Sequence, residues 1–295
     1  MNYKNFKLYF KATRPWAFTA SLVPVIFGGV FAYYEGFFHP GIFILTILGG
    51  IMVHGATNTI NDYFDYMEGV DIPGSSTGML VQKEISPQQT LKLAYFCFSV
   101  AALVGVYFVL VGGKFMAVLI IIGLLGSYGY TGRPFSLKYR ALGAPLVFLM
   151  MGPLMVWGSY YIQVQNHSIQ VILAALPIGL LVTAILHSND LRDIQHDNKV
   201  GIKTLSMLLG EKKAKMFYYI LVHGAYFLII LYVIIGVLSP FILITLITWP
   251  TAVKLTYFIK DSSPKELVPV DLLTAKLHLN FGLVYVFSIT FLALS

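Results

Sequence analysis

Nine apolar runs set the terms on which this chain can fold. They fall at residues 16–34, 41–60, 88–111, 115–131, 142–162, 169–189, 216–236, 240–259 and 272–294, and each is long enough as a helix to cross the roughly 30 Å hydrocarbon core of a bilayer. Hydrophobic residues make up 57% of the chain and charged residues 11%, against about 25% charged in soluble domains. The expectation is an all-α, polytopic membrane protein with nine transmembrane helices in one membrane-embedded domain, residues 1–295. Lys4, Lys7, Lys11 and Arg14 precede a first apolar run as long as those that follow, with no small-residue cleavage pattern, so that run reads as a retained span. The single cysteine, Cys97, excludes an internal disulfide and lies in an apolar stretch, where it reads as a small buried side chain.

Charge divides by side. With the basic amino-terminal arm in the cytoplasm, the loops after spans two, four, six and eight are cytoplasmic too. Those loops and their flanks carry the basic residues from Lys83 to Lys276, whereas the opposite side receives only Lys114. That is the positive-inside distribution, and it accounts for the formal charge of +7 without a nucleic-acid partner. Nor does any feature mark an obligate protein partner. Of the 13 acidic residues only Glu35 falls on the outer side, a bias that topology does not demand and a function at the cytoplasmic face would explain. Gly and Pro within the spans, such as Pro24, Gly28, Gly152, Pro153 and Gly179, read first as close helix crossings and bends. The aromatic excess reads first as lipid-facing and interfacial surface, with some rings free to line a cavity or shield a cation.

The acidic residues gather in two places. Asn58, Asn61 and Asp65 share a helical face if the second span continues through them, with Asp62 beside it and Asp71 between Gly69 and Pro73, before the polar run Gly74 to Gly78. Asp190, Asp193 and Asp197 repeat the spacing of three then four at the end of the sixth span, next to Asn189. Like charges so placed repel even in water, and more where the dielectric is low. Mg2+ would reverse that penalty, because it takes one or two carboxylates per ion and completes its shell with water and phosphate oxygens. Two such helix ends facing each other fit a diphosphate held by metal ions, whose leaving group the metals would assist. Lys138, Arg140, Arg192 and Lys203, on the same side, offer direct phosphate or carboxylate contacts. There is no His-Glu-x-x-His pair, zinc cysteine set or phosphate-binding Gly-rich loop. His54 and His187 read as hydrogen-bonded helix residues rather than ligands.

Asn61-Asp62-x-x-Asp65, Asp190-x-x-Asp193-x-x-x-Asp197 and the basic Tyr130-Thr131-Gly132-Arg133-Pro134-Phe135-Ser136-Leu137-Lys138-Tyr139-Arg140 between them resemble the UbiA superfamily of intramembrane prenyltransferases. Arg14-Pro15-Trp16 and Gly201-Ile202-Lys203-Thr204-Leu205 are similar as well. The chain departs from the common first motif by placing Gly69 where a third Asp usually stands and moving that carboxylate to Asp71. This Gly-x-Asp arrangement resembles the branch acting on 1,4-dihydroxy-2-naphthoate toward menaquinone, although that branch commonly has Asn where this chain has Asp190.

The resemblance implies nine helices around a central cavity open to lipid, with a cytoplasmic polar cap, in an inner or plasma membrane with the amino terminus inside. It implies Mg2+ held by Asp65, Asp71, Asp193 and Asp197, with Asn61, Asp62 and Asp190 assisting, around a polyprenyl diphosphate whose tail lies among membrane lipid. Asn58, Arg133, Arg192 and Lys203 join the implied substrate contacts. Arg140 or Lys138, then Arg133, would hold the carboxylate of an aromatic acceptor, and Tyr130 would orient it. Hydroxybenzoate, homogentisate, a porphyrin or a glycerol phosphate lipid remain alternative acceptors. A cation-coupled transporter is the alternative of another class, opposed by the scarcity of ionisable groups at mid-depth.

Overall fold

A computed structural model describes residues 3–71 and 78–294; Pro73 and the stretch 74–77, singled out from sequence, lie outside the described residues. Helix α1 is Tyr3–Ala12 and α2 is Thr19–Tyr34, entered through a 3-10 turn at Pro15–Phe18. Then come α3 Pro40–Met67, α4 Pro87–Gly129, α5 Gly143–Leu149, α6 Met155–Val164 and α7 Ile169–Val200. The chain closes with α8 Leu205–Leu209, α9 Glu211–Ile234, α10 Trp249–Asp261 and α11 Val270–Leu294. Eight helical segments among the described residues are long and apolar enough to cross a membrane. The protein is an all-α, multi-pass membrane protein.

Local chemistry sets the helix ends. Ser86 and Gln89 form a reciprocal capping box at the start of α4, with Pro87 in the first turn, satisfying N–H groups that have no partner within the helix. Ser168 caps α7 through Val171 N, and Gly201 ends it with φ 74, a conformation glycine adopts without a Cβ penalty. Between those caps α7 runs for 32 residues and α3 for 28, about 48 and 42 Å at 1.5 Å per residue. Both therefore outrun the hydrocarbon core, and the overshoot carries the acidic residues. The sequence placed these spans at 41–60 and 169–189; each helix in fact continues through its Asp cluster.

Helix α4 is unusual in the opposite sense. Its 43 residues would make a straight rod about twice the thickness of the hydrocarbon, but Gly113 lies at φ 66, ψ −154, a region essentially restricted to glycine. The chain folds back there: the Ile120 side chain packs directly on Gly105, fifteen residues earlier. Val104 and Phe108 from one arm, Met116 from the other and Ile162 of α6 form a common cluster.

The main core joins α2, α6, α7, α9 and α11. Tyr160, Tyr218, Tyr226, Tyr285, Phe27, Phe31 and Phe281 are among its fully buried side chains, with the Phe27 and Tyr285 ring centroids 4.4 Å apart. The lipid-facing reading of the aromatic excess therefore applies to exposed rings such as Phe96, Tyr107, Phe227, Tyr257 and Phe287, and not to this buried set. A buried phenol needs a hydrogen-bond partner, and Tyr218 finds Thr274 at 2.8 Å, Tyr226 finds Thr248 at 2.8 Å, and Tyr285 donates to the Ala174 carbonyl at 3.2 Å. The small-residue reading of Gly152 and Gly179 matches the packing. A Cβ built on Gly152 would come within 2.6 Å of Gly179 Cα on α7, so this crossing brings backbone against backbone. Gly152→Val should lower thermal stability in detergent by about 1–3 kcal/mol through overpacking. Gly41→Ala, whose added Cβ meets nothing within 4 Å, should change it by less than about 0.5 kcal/mol.

Candidate active site

The overshooting ends of α3 and α7 meet. After α3 the chain reverses through Gly69 (φ 72), with Val70 N and Asp71 N both donating to the Asp65 carbonyl at 2.8 and 3.0 Å. His196 of α7 then donates from Nε2 to the Val70 carbonyl at 2.8 Å, tying one acidic segment to the other. Below this junction opens a cavity of about 1720 Å³. Its wall includes Asn58, Asn61, Asp62, Asp65 and Asp71 from the first cluster and Asn189, Asp190, Asp193 and Asp197 from the second. The rest is mainly apolar, with Val104, Phe108, Leu119, Met150 and Leu154 among the lining residues.

Carboxylates in such a place need compensation, because an unpaired buried charge costs several kcal/mol. Asp65, 4% exposed, has the densest set of partners. It accepts from Lys138 Nζ at 2.8 Å, from Asn61 Nδ2 at 2.9 Å and from the Tyr139 hydroxyl. Lys138 also lies 3.4 Å from Asn61 Oδ1. Asp62 is paired with Arg14, and Arg192 grips both oxygens of Asp193 at 2.6 and 2.7 Å while reaching Asp271 at 3.1 Å. Asp190 and Asp197 are buried on the same wall. The Asp62 carboxylate beside it raises the Arg14 pKa. For Lys138 burial is the largest single influence and opposes the charged form, but Asp65, Tyr130 and Tyr139 together outweigh it and the pKa rises. Burial pushes the phenols of Tyr130 and Tyr139 up, Asp65 adding to the shift at Tyr139, so both remain protonated donors.

The loop that delivers Lys138 is fixed by backbone bonds. Lys138 N donates to the Tyr130 carbonyl at 2.7 Å, and Ala141 N donates to the Lys203 carbonyl at 2.7 Å, next to an isolated parallel bridge between Arg140 and Lys203. That registration turns three of the basic residues singled out from sequence away from the cavity. Arg140 is exposed and donates to the Pro134 carbonyl at 3.3 Å; Lys203 is exposed; Arg133 is exposed and pairs with Glu68 at 2.6 Å. None of the three lines the cavity wall, in contrast to the other residues expected to contact substrate. Asn58 does line it, while its Nδ2 donates to the Thr13 carbonyl at 2.9 Å and pins the entry to α2. Tyr130, Lys138 and Arg192 are on the wall.

Sequence reasoning gave no role to Arg14, Tyr139, His196, Lys199 or Asp271, although all but Tyr139 line the cavity. Arg14 stood in a noted tripeptide and Tyr139 in a noted loop, but their pairing with Asp62 and Asp65 depends on the tertiary fold. Among the described residues no group of three or more His, Cys, Asp or Glu side chains is arranged as a ready-made metal site. The donors on the wall are nevertheless carboxylate and amide oxygens, a set suited to Mg2+, which needs only one or two of them per ion alongside water and phosphate.

The arrangement separates a buried ion pair from an exposed one. Lys138→Ala leaves Asp65 unpaired and should cost roughly 3–5 kcal/mol of stability. Arg133→Ala removes a pair whose arginine side chain is 72% exposed and should cost less than about 1 kcal/mol. Thermal unfolding of both variants in one detergent checks the contrast.

Residues 21–271 match the model of the UbiA prenyltransferase family. The human UbiA prenyltransferase domain-containing protein 1 is 34% identical over 289 residues, covering 95% of this chain and 82% of that protein. The 1,4-dihydroxy-2-naphthoate octaprenyltransferase of Bacillus subtilis (strain 168) is 31% identical over 279 residues, covering 94% and 90%. A solved UbiA homolog from Archaeoglobus fulgidus bound to GPP and Mg2+ superposes with TM-score 0.60 at 20% identity, covering 94% of this chain and 99% of that one. With the fold, the paired acidic helix ends and these matches in agreement, the chain belongs to the UbiA prenyltransferase family.

Proposed function

We propose that the protein transfers a polyprenyl group from its diphosphate to an electron-rich, hydroxylated aromatic ring, with Mg2+ as cofactor. One observation carries the reading: carboxylates from two helix ends and the cations Arg14, Lys138 and Arg192 converge on one end of a large, otherwise apolar cavity. A diphosphate headgroup suits that end. An isoprenoid tail suits the rest, where each buried methylene contributes about 0.8 kcal/mol. In this reading the two arms of α4, divided at Gly113, count as separate spans. Nine spans then surround a central cavity, and the loops bearing Lys138 and Lys203 cap it on the cytoplasmic side.

Asp65, Asp71, Asp193 and Asp197 would hold the metal ions, assisted by Asn61, Asp62 and Asp190. When bound, Mg2+ supplies Lewis-acid stabilisation of the charge that develops on the departing diphosphate. Lys138 and Arg14 balance Asp65 and Asp62 and are placed to contact phosphate oxygens when those carboxylates turn to a metal ion. Tyr130, kept as a phenol, donates a hydrogen bond near the reacting end. The allylic C–O bond breaks with its electron pair leaving on diphosphate, and a ring carbon beside a hydroxyl bonds to the allylic carbon. The ring regains aromaticity by losing carbon dioxide if that carbon bore a carboxylate, or a proton if it bore hydrogen.

The finer question is the acceptor. The Gly-x-Asp arrangement at Gly69 to Asp71 and the Bacillus relative's name support 1,4-dihydroxy-2-naphthoate. The position of Arg133, Arg140 and Lys203 outside the cavity favours a second reading, a hydroxylated ring without a carboxylate. The cations on the wall at Asp62, Asp65 and Asp193 already have carboxylate partners. Purified protein given Mg2+, a polyprenyl diphosphate and either carboxyl-labelled naphthoate or 1,4-naphthalenediol distinguishes them. Labelled carbon dioxide is expected only if the naphthoate is an acceptor; prenylated diol without it supports the second reading.

Asp65→Ala and Asp193→Ala should each lower Mg2+-dependent diphosphate release at least roughly a hundredfold while still inserting in the membrane. Retained release in both variants would remove these residues from the metal-binding set.

A further inference from the structure

Among the described residues, one titratable side chain on the cavity wall lies well inside a span rather than at the polar end. His54 of α3 precedes Asn61 by seven residues, about 10 Å deeper along the helix. It shares the cavity-facing side with Asn58, Asn61 and Asp65, as spacings of four, seven and eleven require. Its neighbours on the wall include Gly50, Val53 and Thr57. Family membership and the metal-binding ends of α3 and α7 give this imidazole no task.

Its surroundings fix its chemistry. Nδ1 lies 2.9 Å from Ser21 Oγ, and Ser21 Oγ lies 3.2 Å from the Phe18 carbonyl oxygen. A carbonyl oxygen only accepts, and a hydroxyl has one proton to give. Both contacts form together only when Ser21 donates to Phe18 and accepts from Nδ1–H. The second ring nitrogen, Nε2, then carries the lone pair. It has no partner among the described residues, yet it is not one of their fully sealed, unpaired atoms; with the residue 8% exposed and on the cavity wall, that lone pair faces the cavity. The Phe18 ring, with its centroid 5.5 Å away, buttresses the imidazole, and Ser21 is fully buried.

We propose that His54 is a catalytic residue whose Nε2 receives the hydroxyl proton of the aromatic acceptor, with Ser21 as the positioning residue that sets its tautomer. The inference rests on the prenyl transfer proposed above. In this arrangement the allylic carbon and then the aromatic ring lie along the roughly 10 Å of α3 between Asn61 and His54, both on the cavity wall, with a ring hydroxyl at the imidazole. As the ring carbon bonds to the allylic carbon, the hydroxyl's O–H pair becomes the second C–O bond and its proton passes to Nε2. The product of that step is a dienone. If the attacked carbon bears a carboxylate, the dienone is a β-keto carboxylate. It loses carbon dioxide, the electron pair returns through the ring to oxygen, and the proton on His54 goes back to that oxygen. If the carbon bears hydrogen, that proton leaves to diphosphate or water and the same return occurs.

The test uses full-length protein in lipid nanodiscs with Mg2+, a polyprenyl diphosphate and the better of the two acceptors above. His54→Gln keeps an oxygen that accepts a hydrogen bond but takes no proton. Its acceptor KM should stay within about threefold while kcat falls roughly 10²–10⁴-fold, the usual range for general base catalysis. His54→Ala should lose both, and Ser21→Ala should lose kcat by a smaller factor. All three should bind an unreactive polyprenyl thiolodiphosphate with Kd within about threefold of wild type by calorimetry. Wild-type kcat in His54→Gln, or loss of thiolodiphosphate binding in that variant, overturns the inference. Absence of prenylated product from the wild type overturns the transfer reading and this inference with it. Product from the wild type with both His54 variants unchanged overturns this inference alone.

Discussion

A carboxylate buried at the end of a membrane helix must find a positive partner, and the polar end of this protein is organised around that requirement. Asp65 sits 4% exposed with an ammonium, an amide and a phenol on its two oxygens. Supplying that ammonium dictates the path of the chain from Tyr130 to Leu142, which leaves α4, turns through Lys138 and is pinned to the strand of chain after α7 at Lys203. Asp62 makes the same demand of the amino-terminal arm, where Arg14 answers it and Asn58 holds the neighbouring Thr13 carbonyl. Segments far apart in sequence are thus brought to one place by a few charges that water cannot solvate.

The same pairing bears on function. Each cation that neutralises a carboxylate here has the chemistry of a phosphate ligand, and each carboxylate it covers has the chemistry of a Mg2+ ligand. In the proposed function, substrate with its metal ions exchanges one set of counter-ions for another, so the net charge of the site changes little on loading. This explains why the described residues hold no ready-made metal cluster despite nine acidic or amide groups of the two clusters on one wall. It also separates headgroup chemistry at the polar end from acceptor chemistry deeper in, where His54 supplies the ionisable group among apolar neighbours.

What the sequence revealed follows from which forces are local. Apolar runs and the concentration of Asp at one end of spans two and six are visible because hydrocarbon thickness and charge cost act on every residue directly. The three-then-four spacing placed Asp190, Asp193 and Asp197 on one face, and all three line the cavity. By contrast, the direction in which Arg140 points depends on a backbone bridge to Lys203, more than sixty residues later, and no spacing encodes it. Arg14 carried the same basic signal as its neighbours Lys7 and Lys11, so its pairing with Asp62 was hidden among topogenic charges. Four tyrosines depart from the aromatic reading for a related reason: Tyr160, Tyr218, Tyr226 and Tyr285 look interfacial by composition, yet each hydroxyl has an internal partner, while Phe96, Tyr107 and Phe227 are exposed as composition suggests.

The account turns on carboxylates of α3 and α7 releasing their cations to take metal ions around one diphosphate. The most direct measurement is an experimental structure with a polyprenyl thiolodiphosphate and Mn2+ replacing Mg2+, so that anomalous scattering locates the metal. Metal density bridging the Asp65 and Asp193 segments, with Lys138 moved from Asp65 onto a phosphate oxygen, is the expected result. A bound diphosphate with Lys138 still on Asp65 and no metal between the two helix ends would contradict it.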